Sequence, residues 1–373
     1  MNRIYLDHAA TTPLRPEARE AMLRGFEIWA NPSSPHAEGR KARAALEDAR
    51  ERGTVALGWE GEVIFTSGAS EALAIGLRRA KVERRIVSAV EHDAVFRAAP
   101  DAEEIAVGEN FAVNREMLAD ALKRGGKAIV AIQHVNSETG AMQPVSELAA
   151  QVREAGGWLI SDCSQSAGKT RLPDCDMAVV SAHKLGGPIG IGVLLVRDYA
   201  MLDPTGGHER GYRAGTENLP AALGFAAALE ERHIALETVG EGFSTTSLKD
   251  WAEWTLGASL AWADHEHSIY KHGGKFQASR HPADETIVAL TMPGMSAAAQ
   301  VIRFDVEGFA ISAGSACSSG TMKPSRTLRA FGVPEEEARN TIRVSAGWNS
   351  TFEDISRFVR CWVAIAEGAQ RTA

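Results

Sequence analysis

The chain is poor in cysteine, with only Cys163, Cys175, Cys317 and Cys361 among 373 residues. Four cysteines in a chain of this length do not form a disulfide framework, and none has the Cys-x-x-Cys spacing of a zinc ribbon. We therefore expect a reducing, cytoplasmic setting. The N-terminal sequence "MNRIYLDHAATTP" agrees with this, because it lacks the apolar stretch of a signal peptide.

The sequence also lacks a long apolar run and an excess of positive charge, and both features limit the kinds of partner that we expect. No apolar run approaches the ~20 residues that a membrane helix requires, so we expect no membrane association. There is also no excess of positive charge, since the formal net charge is −8, and a nucleic-acid partner is not expected. The apolar content of 45% and the charged content of 24% are those of an ordinary soluble protein, long enough for two domains.

Short apolar runs alternate with helical patterns over the first part of the chain. The apolar runs predict strands at 62–66, 84–90, 127–135, 157–162, 176–182 and 190–196. The helical patterns predict helices at 36–57, 70–80, 92–99, 145–156 and 217–237. Continuous apolar runs of this length are typical of strands buried on both faces. We expect an α/β fold with a mostly parallel sheet and with ligands at the carboxyl ends of its strands.

The C-terminal third predicts a smaller α+β domain. Its best strands are 285–292 and 340–346, and its last helix, 351–369, starts at a threonine cap with acidic residues in the first turn. The predicted division is a large domain of residues 15–243 and a small domain of residues 1–14 and 244–373.

Polar residues follow most of the predicted strands of the large domain. After 62–66, the small residues of 67–70 open a helix whose N-terminal N–H groups suit a phosphate. The other polar residues are Asn136, Ser137 and Glu138, then Asp162 and Gln165, then Ser181, His183 and Lys184. Each alone is most simply a turn, cap or surface residue. Together they describe a site for pyridoxal 5′-phosphate, in which a lysine forms the Schiff base and an aspartate keeps the pyridine nitrogen protonated.

Cys317 differs from the other cysteines in its surroundings. It lies in "ISAGSACSSGTMKPS", residues 311–325, whose small residues bury little core and predict a mobile loop. A structural cysteine prefers a packed apolar site, whereas a reactive one prefers exposure. Cys317 is therefore a candidate nucleophile. The remaining three are expected to be structural, although Cys163 follows Asp162 directly and could line the site.

At these residues the sequence resembles the cysteine desulfurases, a family of fold-type I pyridoxal-phosphate enzymes. The matching segments are "YLDHAATTP" (5–13), "NPSSPH" (31–36), "FTSGASEA" (65–72), "EHDAV" (91–95), "HVNSETG" (134–140), "DCSQSAGK" (162–169), "SAHKLGGPIG" (181–190), "GGHERGYRAGTEN" (206–218), "SAGSACSSG" (312–320) and "IRVSAG" (342–347). The serine- and glycine-rich segment around Cys317 is similar to group I, the NifS/IscS type. The resemblance implies a fold-type I transferase, pyridoxal phosphate as cofactor, a homodimer, and transfer of sulfur from L-cysteine.

The resemblance also implies a role for each site residue. Lys184 would bond the cofactor and remove the α-proton of the substrate, Cys317 would take the sulfur as a persulfide, and His92 would stack on the cofactor ring. The other cofactor-binding residues would be Asp162, Gln165, Asn136, Ala69, Ser70, Ser181 and His183, with Thr216 reaching in from a second subunit. Arg343 would bind the substrate carboxylate through its bidentate fork, together with Asn136. No metal site is implied.

Sulfur would then pass from Cys317 to a protein acceptor such as an iron–sulfur scaffold. One departure from the family pattern is that Asp284, Glu285 and Thr286 stand where Pro-Asn-Thr is usual. Two enzyme alternatives stay open, a selenocysteine lyase and another enzyme of the class V aminotransferase family. The others are a fold relative that binds a partner without catalysis and a metal-binding protein that uses His265, His267 and His272.

Overall fold

The computed structural model describes residues 3–108, 110–238, 261–277, 283–284, 286–314 and 325–370. The elements of the first part are β1 (Ile4–Tyr5), α1 (Pro16–Glu27), α2 (Ala37–Leu57), β2 (Glu62–Thr66), α3 (Ala69–Arg79), β3 (Arg84–Ser88), α4 (Asp93–Ala98), β4 (Glu103–Ile105), α5 (Arg115–Leu122), β5 (Ala128–Ala131), α6 (Val145–Glu154), β6 (Trp158–Asp162), β7 (Met177–Ser181), β8 (Gly192–Val196) and α7 (Leu219–Thr238). Those of the second part are α8 (described over 261–271), β9 (Lys275–Gln277), β10 (Ile287–Thr291), α9 (Ala297–Val306), β11 (Phe309–Ala310), α10 (Arg326–Ala330), α11 (Glu335–Arg339), β12 (Thr341–Ser345) and α12 (Phe352–Gln370).

A seven-stranded sheet forms the centre of the molecule, with the strand order β2-β8-β7-β6-β5-β3-β4. The run from β7 to β4 is parallel, and only β8 is antiparallel to its neighbours. The predicted mostly parallel α/β sheet is therefore confirmed. All six predicted strands are present, and 62–66 has the predicted bounds.

Both faces of this sheet are covered by apolar side chains from helices. Neighbouring residues such as Leu194 and Leu195 point to opposite faces, and each is completely buried. Helices α1, α2 and α7 pack on one face, while α3 and α4 pack on the other. This two-sided burial explains the continuous apolar runs in the sequence.

A second core lies in the C-terminal part of the chain. The antiparallel sheet β9-β10-β12 and the parallel pair β1-β11 enclose side chains that include Leu6, Phe304, Phe358 and Trp362. The N-terminal strand thus packs with elements some 300 residues later, as expected if the first residues join the small domain. The predicted domain boundaries stay a prediction, because the one after residue 243 lies outside the described residues.

The departure from the family pattern at Asp284 and Thr286 lies where the two cores meet. The Lys169 Nζ atom is 3.3 Å from Oδ2 of Asp284 and 3.2 Å from Oγ1 of Thr286. All three residues are buried, so this ion pair links the loop after β6 to the strand β10. Within the described ranges, no helix combines the length and the apolarity that crossing a membrane requires.

Candidate active site

A cavity of about 560 Å³ opens at the carboxyl ends of β2, β3, β5, β6 and β7. This is the edge at which parallel α/β sheets place their sites. The predicted site residues that line it are Ala69, Ser70, His92, Asp162, Gln165, Ser181, His183, Lys184 and Arg343. Residues separated by up to 274 positions in the sequence therefore meet in one cavity.

One end of the cavity is the N-terminus of α3. Gly68 precedes this helix with φ 148°, a conformation open to glycine, and the first N–H groups of the helix have no intrahelical acceptor. A Cβ on Gly192 would lie 2.9 Å from the Cα of Gly68, so glycine is required there for the close approach. Exposed N–H groups and the positive end of the helix dipole suit a phosphate.

Glu71 lies in the first turn of α3 but does not oppose an anion there. Burial tends to raise its pKa, but the hydrogen bond from the Ser67 N–H and the charge of Arg213 outweigh burial and lower it. The guanidinium Nε of Arg213 lies 3.1 Å from Oε1 of Glu71. The carboxylate is thus neutralised by its own partners.

Lys184 ends a short 3₁₀ turn, Ala182–Lys184, that follows β7 directly. Its Nζ atom donates to the carbonyl oxygen of Ala9, and Thr12 binds the same turn by donating from Oγ1 to the Lys184 carbonyl at 3.1 Å. The N-terminal segment therefore fixes the position of the lysine. Next to it, burial and the charge of Lys184 lower the pKa of His183 to about 4. His183 is neutral at pH 7 and serves as a hydrogen-bonding group, with its Nδ1 3.1 Å from Oγ1 of Thr11.

Asp162 ends β6 and lines the floor of the cavity, where its Oδ1 accepts from the Ser164 N–H at 2.9 Å. A second carboxyl group, Glu91, also lines the cavity and is buried. Burial raises the pKa of Glu91 well above its usual value, the Gln133 N–H at 2.8 Å counters this, and the charge of Asp162 adds to it. Burial and the neighbouring Asp162 carboxylate thus both favour the protonated form of Glu91. Glu91 is not among the predicted site residues, although it stands beside His92 in the segment "EHDAV".

His92 caps helix α4. Its Nδ1 accepts from the Ala94 N–H at 3.1 Å, so the proton of the neutral ring lies on Nε2. The cap fixes the plane of the imidazole, which lines the cavity. The sequence does not reveal this double role, in which a helix cap and a ring that faces the cavity are the same side chain.

Arg343, on β12, is the contribution of the small domain to the cavity. Its Nη2 lies 2.8 Å from Oδ1 of Asp7, and its Nη1 donates to the Ser137 carbonyl at 3.1 Å. Its Nε is buried without a hydrogen-bond partner among the described residues. The guanidinium is thus held by two of its nitrogens, while the third, Nε, has no partner among the described residues.

Asn136 and Thr216 do not line the cavity. Asn136 is buried, and its Oδ1 accepts from the Glu138 and Thr139 N–H groups, each at 2.9 Å, while its Nδ2 donates to the Val90 carbonyl at 3.4 Å. It fixes the turn after β5, and its contact with cofactor or substrate stays a prediction. Thr216 is exposed, as a residue that serves a second subunit has to be, and that role also stays a prediction.

Cys317 lies outside the described residues, and its predicted role as nucleophile stays a prediction. Gly314, the last described residue before it in the sequence, lines the cavity. By contrast, Cys163 is fully buried in the core, does not line the cavity, and has its pKa raised to about 12 by burial.

The histidines of 265–272 make protein contacts instead of a cluster. The Nε2 atom of His265 lies 3.0 Å from the Ser356 hydroxyl, and that of His272 lies 3.2 Å from Glu367. In the part of the chain that the structure describes, no three histidine, cysteine or acidic side chains group as metal ligands.

The sequence model of the aminotransferase class-V family matches residues 4–358, and the chain belongs to this family. Its relatives include a protein of Dictyoglomus turgidum named cysteine desulfurase IscS, 33% identical over 95% of this chain and 92% of the relative. A solved NifS-like protein of Rickettsia africae is 27% identical, with a TM-score of 0.85 over 98% of this chain and all of the other. A structure of SspA in complex with cysteine is 28% identical, with a TM-score of 0.75 over 92% of this chain and 98% of the other.

The predicted fold-type I transferase fold is confirmed by these relatives, and pyridoxal 5′-phosphate is the cofactor of the family. The residues of the cavity fit this group. The N-terminus of α3 offers N–H donors, Lys184 offers an amine, and Asp162 offers a carboxylate. Gln165 donates to the Ala9 carbonyl at 3.0 Å, and its Oε1 is a buried polar atom without a partner among the described residues.

Proposed function

We propose that this protein is a cysteine desulfurase that transfers the sulfur of L-cysteine to Cys317 and releases L-alanine. One observation carries the proposal. Lys184, Asp162 and Arg343 line one cavity with Gly314, the last described residue before the segment that holds Cys317. A lysine, an aspartate and a carboxylate-binding arginine suit amino-acid chemistry, and a cysteine three positions after Gly314 in the sequence suits sulfur transfer.

When bound, pyridoxal 5′-phosphate supplies an electron sink conjugated to the α-carbon of the substrate. The N-terminus of α3, with Ala69, Ser70, Ser181 and neutral His183, would hold the phosphate. Asp162 would keep the pyridine nitrogen protonated. Burial raises the pKa of the neighbouring Glu91, which disfavours a second negative charge beside that nitrogen.

The remaining steps use the side chains at the open end. Arg343 binds the carboxylate of L-cysteine through the guanidinium N–H groups that its contacts with Asp7 and Ser137 leave over, and Lys184 removes the α-proton. The Cys317 thiolate attacks the substrate sulfur, so that an S–S bond forms and the Cβ–S bond breaks. The electron pair of the broken bond stays with carbon, which takes up protons and leaves as L-alanine. Cys317 keeps the sulfur as a persulfide.

His92 is held for contact with the cofactor ring. Because its Nδ1 is occupied by the Ala94 N–H, its Nε2 is the nitrogen that can exchange a proton in the cavity. We assign it to stacking on the ring and to proton transfer near the reacting sulfur.

We also propose a homodimer in which Thr216 reaches the phosphate site of the second subunit. Leu23, Phe26 and Trp29, on and just after α1, are 54%, 57% and 66% exposed and form one apolar surface. Such a surface favours burial against a second copy. Sedimentation equilibrium is expected to give the mass of two chains, and Phe26→Asp to shift it toward one.

The sulfur acceptor that we propose is a protein scaffold for iron–sulfur assembly in the cytoplasm. The names of the relatives, IscS and NifS-like, support this class of acceptor. The described cysteines, Cys163, Cys175 and Cys361, are free thiols, which agrees with a reducing compartment. The names of the relatives do not favour the selenocysteine lyase or another aminotransferase-family activity.

The test is release of sulfide and alanine from L-cysteine, with a reductant, by the purified yellow protein and by Cys317→Ala. We expect equal amounts of both products from the parent. The variant is expected to keep its colour and to release neither. A parent that binds the cofactor at Lys184 but does not turn over L-cysteine would disprove the proposal.

A further inference from the structure

Asp7 is a charged residue of the N-terminal segment, residues 7–12, to which the proposed mechanism gives no role. Its Oδ1 accepts from Nη2 of Arg343 at 2.8 Å, and its Oδ2 accepts from the Ser312 hydroxyl at 3.0 Å. Both carboxylate oxygens therefore have a partner, one on β12 and one just after β11. The ion pair is largely buried, since the side chains of Arg343 and Asp7 are 7% and 20% exposed.

The backbone on both sides of Asp7 is bound to β12. The Ser345 N–H donates to the Leu6 carbonyl at 2.8 Å, and the His8 N–H donates to the Ser345 carbonyl at 3.3 Å. Ser345 lies two residues after Arg343 on the same strand. The carboxylate of Asp7 and the guanidinium that it binds are thus both carried by backbone that is held in place by hydrogen bonds.

The N-terminal segment also contacts residues that face the cofactor site. The Ala9 carbonyl accepts from Nζ of Lys184 and, at 3.0 Å, from Nε2 of Gln165. Ala9 itself lines the cavity. Because Asp7 and Ala9 are two residues apart, one short stretch of chain contacts both the arginine proposed to bind the substrate carboxylate and the lysine proposed to remove the α-proton.

We infer that Asp7 is a positioning residue: by holding Nη2 of Arg343, it orients the guanidinium toward the substrate carboxylate and fixes its position relative to Lys184. The inference rests on the proposed function, which assigns the substrate carboxylate to Arg343. Without Asp7, the Ser137 carbonyl is the one side-chain contact of Arg343 that remains among the described residues. The guanidinium then spends less time in the binding orientation, and the apparent affinity for a carboxylate falls by the same fraction.

The experiment uses the cofactor-loaded protein and measures the dissociation constants of two ligands from the visible absorbance of the cofactor. L-alanine has an amino group and a carboxylate, whereas ethylamine lacks the carboxylate and makes no use of Arg343. For Asp7→Ala we expect the Kd for L-alanine to rise about 10-fold, while the Kd for ethylamine stays within about 2-fold of the parent. A purely structural role would weaken the binding of both ligands equally.

Two further variants separate the position of the carboxylate from its charge. Asp7→Glu keeps the charge but moves the carboxylate by one methylene, so we expect it to bind L-alanine as weakly as Asp7→Ala does. Asp7→Asn keeps an oxygen in place to accept from the guanidinium, and its Kd for L-alanine is expected to stay within about 3-fold of the parent. Both variants also serve if Asp7→Ala does not fold. Asp305→Ala, which removes an exposed ion pair with Arg3, is the control and is expected to bind both ligands as the parent does.

A double variant tests whether Asp7 acts through Arg343. Arg343→Ala is expected to weaken the binding of L-alanine by itself. Asp7→Ala is expected to add no more than about 2-fold in that background, because the guanidinium that Asp7 positions is absent.

Four outcomes would overturn the inference. The first is an equal loss of affinity for L-alanine and ethylamine in Asp7→Ala. The second is an affinity that follows the charge of residue 7, kept in Asp7→Glu and lost in Asp7→Asn. The third is independent, multiplying effects of the Asp7 and Arg343 variants. The fourth is tighter binding of L-alanine by Asp7→Ala, because Asp7 would then compete with the ligand for the guanidinium.

Failure of the proposed function gives a different result. A parent that binds L-alanine through Arg343 but releases neither sulfide nor alanine from L-cysteine would overturn the proposed function. The effect of Asp7 on carboxylate binding would still be measured in the same titrations. The two failures are therefore distinguishable.

Discussion

Arg50 and Arg343 are buried to nearly the same depth, 8% and 5% exposed, and each pairs with a carboxylate. Each of the three guanidinium nitrogens of Arg50 has a partner: Nη1 and Nη2 bind Glu209 at 2.8 and 3.1 Å, Nη1 also binds the Val63 carbonyl, and Nε binds Glu47. Arg343 leaves its Nε without a partner among the described residues, and its Asp7 is partly exposed. The first arginine is a closed structural pair, whereas the second keeps a donor for the substrate carboxylate that we propose.

The environments of the two carboxylates explain the difference. Glu209 is buried in a turn where it and Arg210 both have positive φ, 48° and 55°, although neither is glycine. Its Oε2 also accepts from the Phe65 N–H on β2 at 2.8 Å. The closed pair therefore stabilises a strained turn in the segment that carries Thr216. A buried charged group whose nitrogens all have hydrogen-bond partners stabilises the fold, whereas one with an unpartnered nitrogen is suited to bind a ligand.

The largest loss of stability is expected from breaking the Arg50–Glu209 ion pair. Arg50→Ala leaves Glu209 buried without its cation, which is expected to lower the free energy of unfolding by about 3–5 kcal/mol. Urea denaturation measures this loss. Arg52→Ala is the matched control on the same helix, since its pairs with Asp48 and Glu230 are half-exposed, and about 1 kcal/mol or less is expected. Equal losses in the two variants would contradict the comparison.

Substitution of Arg343 is expected to affect activity more than stability. Arg343→Ala removes a fork that binds carboxylate, so kcat/KM for L-cysteine is expected to fall about 100-fold or more. Arg343→Lys keeps the charge but not the fork and is expected to recover only part of the loss. The checks are steady-state kinetics together with the urea midpoint. A stability loss as large as that of Arg50→Ala would place Arg343 among the structural pairs.

His134 is another buried group with a hydrogen-bond partner, since its Nδ1 lies 2.9 Å from the Ser166 hydroxyl. Burial lowers its pKa to about 4, partly countered by Asp284. The unfolded state, with the usual pKa near 6.5, binds more protons between these values. The contribution of neutral His134 to the free energy of unfolding is therefore fully present above about pH 6.5. It is lost, by up to about 3 kcal/mol, as the pH falls toward 4.

Denaturation curves from pH 4 to 8 test this expectation. His134→Gln carries no titrating proton, so its stability is expected to fall less over the same interval. His267→Gln, at an exposed histidine, is the control and is expected to follow the parent. A parallel decline in all three proteins would exclude His134 as the cause.

The last titrating group in the comparison is Glu91, and burial raises the pKa of its carboxyl group well above the usual value. Its folded pKa is raised by burial, so the stability that it contributes is present below the unfolded pKa near 4.5 and is lost as the pH rises. Glu91→Gln has the same shape without the proton. It is expected to gain stability over the parent as the pH rises above about 4.5, and to match the parent below it. A variant less stable than the parent at pH 8 would contradict a raised pKa of Glu91.

The sheet could be predicted well because its signal is local. The strand Glu62–Thr66 is a continuous apolar run, and a strand buried on both faces needs little else. The run 127–135 predicts a longer strand than Ala128–Ala131, because the chain leaves the ladder to build the site. There the Gln133 N–H donates a hydrogen bond to the Glu91 carboxyl group, and the His134 N–H donates one to the Asp162 carbonyl.

Short or isolated elements were missed, and the reason differs for each. The helix α1 leaves Leu23 and Phe26 exposed, so its apolar pattern does not point to one buried face. The strand β4 has three residues and lies at the edge of the sheet, which is too little for a periodic signal. Helices α5 and α9 were not predicted either.

The candidate site could be predicted as a set of residues but not as a set of contacts. The resemblance identified nine residues that line the cavity. The pairing of Arg343 with Asp7 spans 336 positions, and no local pattern could indicate it. Glu91 stands inside a matching segment, but its importance follows from burial and from a hydrogen bond to Gln133, 42 positions later in the sequence.

The pairing of β1 with β11 has a consequence for protein synthesis. Strand β1 is made some 300 residues before its partner, and Asp7 is made still further ahead of Arg343. The large sheet can form while translation continues, since its strands lie between residues 62 and 196. Arg343 is made only with β12. A nascent chain that has not yet reached β12 therefore has the sheet edge of the cavity but lacks the arginine that we assign to the substrate carboxylate.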